Sequence, residues 1–289
     1  MELIPYDEAV TSLVDAAEPL EQWDTGFTFT EGPVYCWGRY YFTDFMVNKI
    51  FRYEDGASTL IDGNSFFSIG MTYDRSKDRI LRCARDKRAI MDMEGNVVID
   101  NYRGMPINGS NDVIVDSAGR IYFSDPLTRK IEGPQTGHSS VFRHDERTGE
   151  TLLFEPTRAL EFPNGIALSP DETALYITET RGSDVYRLDL ASGNMERLIH
   201  LDEEAGEGRP DGLRLDIQGN LYVTGPGGIW LLNPQGKILG IVKTPEIAAN
   251  LCFDTRGLFI TASKSIYHLN TKIPGACGIL RNFTHFEVP

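Results

Sequence analysis

The sequence predicts an all-β fold, a six-bladed β-propeller with four-stranded blades around a central channel, and three observations carry that expectation. A six-residue pattern, with a small or polar second position and an apolar alternation after it, recurs six times. The same succession of turns and short β-prone segments follows the copies. Their spacing is roughly 40 to 50 residues, the length of one four-stranded blade.

Three copies are clear: Asn111-Asp112-Val113-Ile114-Val115-Asp116, Asn164-Gly165-Ile166-Ala167-Leu168-Ser169 and Asp211-Gly212-Leu213-Arg214-Leu215-Asp216. Three are weaker: Glu31-Gly32-Pro33-Val34-Tyr35-Cys36, Ile69-Gly70-Met71-Thr72-Tyr73-Asp74 and Ala249-Asn250-Leu251-Cys252-Phe253-Asp254. In order along the chain, residues 1–30 precede the first copy and end in the alternating stretch Phe27-Thr28-Phe29-Thr30, and this N-terminal segment is expected to supply the outer strand of the last blade. Each copy then opens a blade. Val113-Ile114-Val115 is followed by the turn Asp116-Ser117-Ala118-Gly119 and a second strand, Ile121-Tyr122-Phe123-Ser124. Leu175-Tyr176-Ile177-Thr178, Leu221-Tyr222-Val223-Thr224 and Leu258-Phe259-Ile260-Thr261 are its counterparts. Third strands read as Val141–His144, Val185–Leu188, Ile229–Leu232 and Ser265–His268, and Ile238–Ile241 is an example of a fourth. A β-sandwich also has short strands and regular turns, but it leaves the repeated pattern unexplained. The repeat thus makes residues 1–289 one propeller domain.

Composition narrows the class. With 41% hydrophobic and 24% charged residues the 289-residue chain can bury a sizeable core. A formal net charge of -14 argues against nucleic acid or an anionic membrane as partner, since both require a basic face. No apolar run approaches a membrane span. The first residues carry acids where a secretory leader carries bases, so a cytoplasmic location is expected. Cys36, Cys83, Cys252 and Cys277 lack C-x-x-C spacing and read as reduced, packed hydrophobes.

The first column of the repeat is Glu31, Ile69, Asn111, Asn164, Asp211 and Ala249. Innermost strands of a propeller surround the channel, so equivalent positions at their starts form a ring near one end. Glu31, Asn111, Asn164 and Asp211 then make a hard, all-oxygen set suited to one divalent cation, Ca2+ first and Mg2+, Mn2+ or Zn2+ less ideally. No histidine or cysteine stands in that column, which counts against a dedicated zinc site. The long connection Pro126–Ser140, with Gly133-Pro134, Gly137 and His138, is expected either to border the mouth at the same end or to be a solvated surface loop. His138, His144, His200, His268 and His285 show no ligand spacing, and only His138 sits on that insertion.

Glu31-Gly32-Pro33, Ser110-Asn111-Asp112, Pro163-Asn164-Gly165 and Pro210-Asp211-Gly212, with Leu221-Tyr222-Val223-Thr224 behind the last, resemble the senescence-marker-protein/gluconolactonase family over nearly the whole chain. The resemblance implies a six-bladed propeller, a divalent metal held by Glu31, Asn164 and Asp211, and Asn111 at or near the metal in contact with substrate. It implies hydrolysis of a sugar lactone, a small-molecule partner, with the ion polarising the ester carbonyl and Asp211 as general base. One position departs: some sugar-lactonase members have Arg two residues before the Asn matching Asn111, where this chain has Gly109. Substrate contacts are therefore sought after the second strands, at Asp125, Glu179 and Arg181, the other readings being a turn-former for Asp125 and a solvated pair for Glu179 with Arg181. Two alternatives stay open: a phosphotriesterase or fluorophosphatase, which applies similar ligands to phosphorus, and a non-catalytic calcium-binding propeller.

Overall fold

The structure, a computed structural model, describes residues 1–127 and 136–276. Six antiparallel sheets stand in a ring and make a six-bladed propeller. Blade 1 is Thr30–Cys36, Arg39–Asp44, Lys49–Glu54 and Ala57–Asp62; blade 2 is Ser68–Asp74, Arg79–Ala84, Ala89–Asp92 and Val97–Ile99. A small hairpin, Asn101–Tyr102 with Met105–Pro106, leads to blade 3: Val113–Val115, Ile121–Asp125, Ser140–Asp145 and Glu150–Leu153. Blade 4 is Pro163–Leu168, Ala174–Glu179, Asp184–Asp189 and Met195–His200; blade 5 is Leu213–Leu215, Leu221–Gly225, Gly228–Leu232 and Ile238–Lys243. Blade 6 contributes Ala248–Phe253, Gly257–Ala262 and Ser265–Asn270.

The N-terminus completes blade 6, where Leu20–Thr25 pairs antiparallel with Ser265–Asn270. The outermost strand lies within the N-terminal segment 1–30, just ahead of the alternating Phe27-Thr28-Phe29-Thr30 stretch. An edge strand buries little, and all six of its residues are exposed or half-buried, so it carries no apolar alternation to read. Phe27–Thr30 instead leads into blade 1. Trp23 seals the seam, stacking on His268 at 4.5 Å and on Tyr53 of blade 1 at 5.1 Å. A second addition was not anticipated: Leu3–Pro5 forms a fifth strand on blade 5.

Each blade is sandwiched between two others, so inner strands are apolar on both faces and read as runs rather than alternations. Ala174–Glu179 and Gly228–Leu232 are buried throughout. Apolar clusters fill the seams, for example Leu81, Ile90, Val113 and Phe123 between blades 2 and 3, and Val185, Leu213, Val223 and Trp230 between blades 4 and 5. Burying each such side chain contributes about 1.5–3 kcal/mol. Among the described residues Cys36, Cys83 and Cys252 are buried thiols outside any disulfide, and burial pushes the Cys36 thiol up to about 12. Cys277 lies outside the described residues. Among the described residues no helix is long and apolar enough to cross a membrane.

Candidate metal centre and active site

The two leading columns of the repeat mark where strand pairing breaks. Register shifts fall between Glu31 and Val34, Ser68 and Met71, Pro163 and Ile166, and Ala248 and Asn250. A bulge of this kind bends a strand and re-aims its side chains. The second-column glycines permit a close approach between blades. The Gly70 amide donates to the Asn111 carbonyl at 2.8 Å, Gly165 to Asp211 at 3.1 Å and Gly212 to Ala249 at 2.8 Å. A Cβ on Gly165 would stand 2.2 Å from the Asp211 carbonyl oxygen.

A second set of contacts ties the same carbonyls. Thr43, Ser124, Thr178 and Thr224 are the equivalent next-to-last residues of second strands. Their hydroxyls donate to Ile69 O at 3.3 Å, Asn164 O at 2.6 Å, Asp211 O at 2.5 Å and Ala249 O at 2.9 Å. A first-column residue is thus seated by the blade before it.

Of the four expected donors, Glu31, Asn111 and Asn164 are buried and Asp211 is half-buried. Burial pushes the Glu31 carboxyl up to about 7, with the Gly32 amide pulling the other way and the Asp112 charge adding to the rise. Burial also pushes Asp211 well above the carboxylate range, helped by the charges of Glu31 and Asp112 and opposed by the Asn164 amide beside it. Glu31 and Asp211 therefore sense each other, and Asn164 lies against Asp211. Asn111 joins them by register; its carbonyl accepts from Gly70.

Two oxygens of this group are telling. Asn164 Nδ2 donates to Thr180 Oγ1 at 2.9 Å, yet Asn164 Oδ1 is buried with no hydrogen-bond partner, and so is Asp211 Oδ1. Buried acceptors without donors cost free energy unless something positive meets them. Glu31 and Asn111 occupy the same register in blades 1 and 3, and all four side chains offer oxygens of the hard kind that a divalent cation takes. Among the described residues no three His, Cys, Asp or Glu side chains cluster at ligand spacing, and half of this set are amides. A cavity of about 280 Å³ lies elsewhere in the channel, lined by Tyr35, Met71, Arg214 and Cys252 among others, and touches none of the four donors.

Two channel residues escaped the sequence reading because they occupy the second column. Asp112 is fully buried; its Oδ2 lies 3.6 Å from Arg214 Nη1 and accepts from the Ile166 amide at 3.2 Å. Asn250 Nδ2 donates to Glu31 Oε2 at 3.2 Å. The available signal was that only these two copies of the pattern lack glycine there.

The substrate-contact candidates are placed differently. Asp125 is fully buried and uses both oxygens internally, accepting from Asn108 N at 2.8 Å, Gly109 N at 3.0 Å and Ser110 Oγ at 3.3 Å. Glu179 is buried and accepts from Phe162 N at 2.9 Å and Arg181 N at 2.9 Å. Both carboxylates hold backbone amides. Arg181 is exposed at the rim, its guanidinium 5.7 Å from the Phe162 ring centre and 3.5 Å from Glu161. His138 pairs through Nδ1 with Ser140 at 2.6 Å, and its carbonyl accepts from Asn108 Nδ2 at 3.0 Å. Gly133-Pro134 and His285 lie outside the described residues.

Comparison with known proteins follows the same lines. The profile of the SMP-30/gluconolactonase/LRE-like region matches residues 29–264. A gluconolactonase from Zymomonas mobilis is 30% identical across 93% of this chain and 86% of its own length. The solved structure of a gluconolactonase from Xanthomonas campestris superposes with a TM-score of 0.85 and 26% identity, over 94% of this chain and 95% of that one. Regucalcin from Agrobacterium tumefaciens, a calcium-binding protein, superposes with a TM-score of 0.71 over 88% of this chain and 95% of its own; at 18% identity that likeness speaks to the fold.

Proposed function

The chain belongs to the SMP-30/gluconolactonase/LRE-like family, and on that footing we propose that it is a divalent-metal-dependent hydrolase that opens the ester ring of a sugar lactone. The observation that carries the reading is the pair of buried, partnerless oxygens, Asn164 Oδ1 and Asp211 Oδ1, in a ring that also contains Glu31 and Asn111. The four residues would hold one cation, Ca2+ first by the hardness of the set. When bound, such an ion polarises the ester carbonyl and stabilises the oxyanion that develops there.

The protein's own groups supply the remainder. Glu31 and Asn164 are buried and fixed by hydrogen bonds, which suits them to binding. Asp211 is the most accessible of the four and has an oxygen unclaimed by the protein, which suits it to move a proton. In the reaction Asp211 takes a proton from the attacking water as its oxygen bonds to the carbonyl carbon. It returns that proton to the ring oxygen as the C–O bond breaks, giving the open hydroxy acid. A positioned base of this kind contributes about 10²–10⁴-fold. Asn111 would contact the lactone beside the cation.

The test is hydrolysis of a panel of aldonolactones, with a phosphotriester alongside, by metal-loaded and chelated protein and by Asp211→Ala. Lactone turnover lost on chelation and on substitution supports the reading. Turnover indifferent to both sinks it, and preference for the phosphotriester replaces the substrate class.

A further inference from the structure

The buried carboxylates that close the second strands follow a pattern that matches the donors blade by blade. The last residues of the six second strands are Asp44, Ala84, Asp125, Glu179, Gly225 and Ala262. Acids therefore occupy this place in blades 1, 3 and 4, which carry Glu31, Asn111 and Asn164. Alanine occupies it in blades 2 and 6, whose first-column residues are Ile69 and Ala249. Blade 5, with Asp211, has a glycine.

Each acid grips the backbone that leads into its own blade's donor. Asp44 accepts from Thr28 N at 3.0 Å and Phe29 N at 2.9 Å, two to three residues ahead of Glu31. Asp125 takes Asn108 N and Gly109 N ahead of Asn111, and Glu179 takes Phe162 N ahead of Asn164. All three are nearly inaccessible, at 3%, 0% and 4% exposure. Charge-assisted bonds of this kind, out of water, are about twice as strong as neutral ones and fix direction. Among the described residues the lead-in to Asp211 has no acid on its backbone amides; there Thr180 Oγ1 donates to Pro210 O at 2.8 Å and the Arg209 side chain bonds Ser183 and Glu203.

From this register we infer that Asp44, Asp125 and Glu179 are positioning residues that lock Glu31, Asn111 and Asn164 into a rigid cradle, while Asp211, the one donor without such a bracket, is the adjustable member that handles the proton. The inference rests on the metal-dependent reading above. It divides the ring into three fixed binding groups and one working group.

The experiment is calorimetric titration of Ca2+ and Mn2+ into Asp44→Asn, Asp125→Asn, Glu179→Gln and Asp216→Asn proteins, with melting temperatures. Asp216 is the control: it accepts from Gln218 N and Asn220 N at 2.9 Å in a turn at the other end of its strand. The three bracket variants are expected to bind the ion about 10–100-fold more weakly and to recover turnover when the ion is raised to saturation. Asp216→Asn is expected to melt lower with unchanged ion affinity, and Asp211→Asn to lose turnover that no ion concentration restores. Bracket variants that melt lower yet bind the ion as wild type does overturn the inference, as does failure of all three to fold while Asp216→Asn folds. A wild type that opens no lactone but binds the ion with these shifts removes the hydrolase and keeps the brackets. A wild type that binds no divalent ion removes both.

Discussion

Asn250 of blade 6 donates through Nδ2 to Glu31 Oε2 of blade 1, across the seam where the ring closes. The blade that offers no donor of its own thereby fixes the donor of its neighbour. Replacing the amide with Asn250→Ala removes a bond that favours the ionised Glu31, so protons compete better with metal. Metal affinity at pH 7 is expected to fall several-fold and to converge on wild type near pH 9. Titration at both pH values checks this, and an equal loss at both would show that the amide acts otherwise.

The acid cluster also sets a pH dependence of stability. In the metal-free protein Glu31 is raised from 4.5 to about 7, first by burial, and Asp211 is raised as well. A raised acid stabilises the fold below its unfolded value near 4.5, and that contribution disappears as pH climbs through about 7. For Glu31 it is on the order of 3 kcal/mol. Melting of chelated protein is expected to drop between pH 5 and pH 8, and the gain on adding Ca2+ to be larger at pH 8. A gain that shrinks with rising pH contradicts the assignment.

Arg214 and Asp112 form a pair in the channel with both side chains at 5% exposure or less. Removing one partner strands the other charge away from water. Arg214→Met is expected to destabilise by about 3–5 kcal/mol, and the double variant Asp112→Leu/Arg214→Met by less. Urea unfolding of Asp112→Leu, Arg214→Met and the double variant beside wild type measures the difference, and additive losses would show that the pair is not coupled.

Gly165 has no room for a side chain, because its Cβ would press on the Asp211 carbonyl. Gly165→Ala is expected to cost about 1–3 kcal/mol and to weaken metal binding by moving Asp211. Gly63→Ala serves as control, since nothing lies within 4 Å of the added carbon. Urea midpoints and metal titration of the two variants separate a local collision from a general glycine effect.

What the sequence made legible was what repeats. Blades follow from the recurring pattern, and the donor column from reading that pattern vertically. Residues whose part depends on a neighbour were not visible. Asp112 and Asn250 read as variants of a small second position until the structure set them against Arg214 and Glu31. Asp125 and Glu179 read from the sequence as substrate contacts after second strands, and only their bonds to Gly109 and Phe162 show that they face the chain. Asp44 belongs with them and was missed because blade 1 is a weaker copy. Leu20–Thr25 was unreadable for a different reason: a strand paired on one edge leaves no apolar signature.

The hydroxyls of Thr43, Ser124, Thr178 and Thr224 each reach from one blade to the first-column carbonyl of the next. Heredity of the site is therefore offset from heredity of the fold by one step. A blade copied or exchanged whole would bring its own donor but the seat for somebody else's, so the six units are not interchangeable parts. Transplanting a donor with its seat requires the run from the second strand of one unit through the first strand of the next, with the cut placed between a first strand and a second.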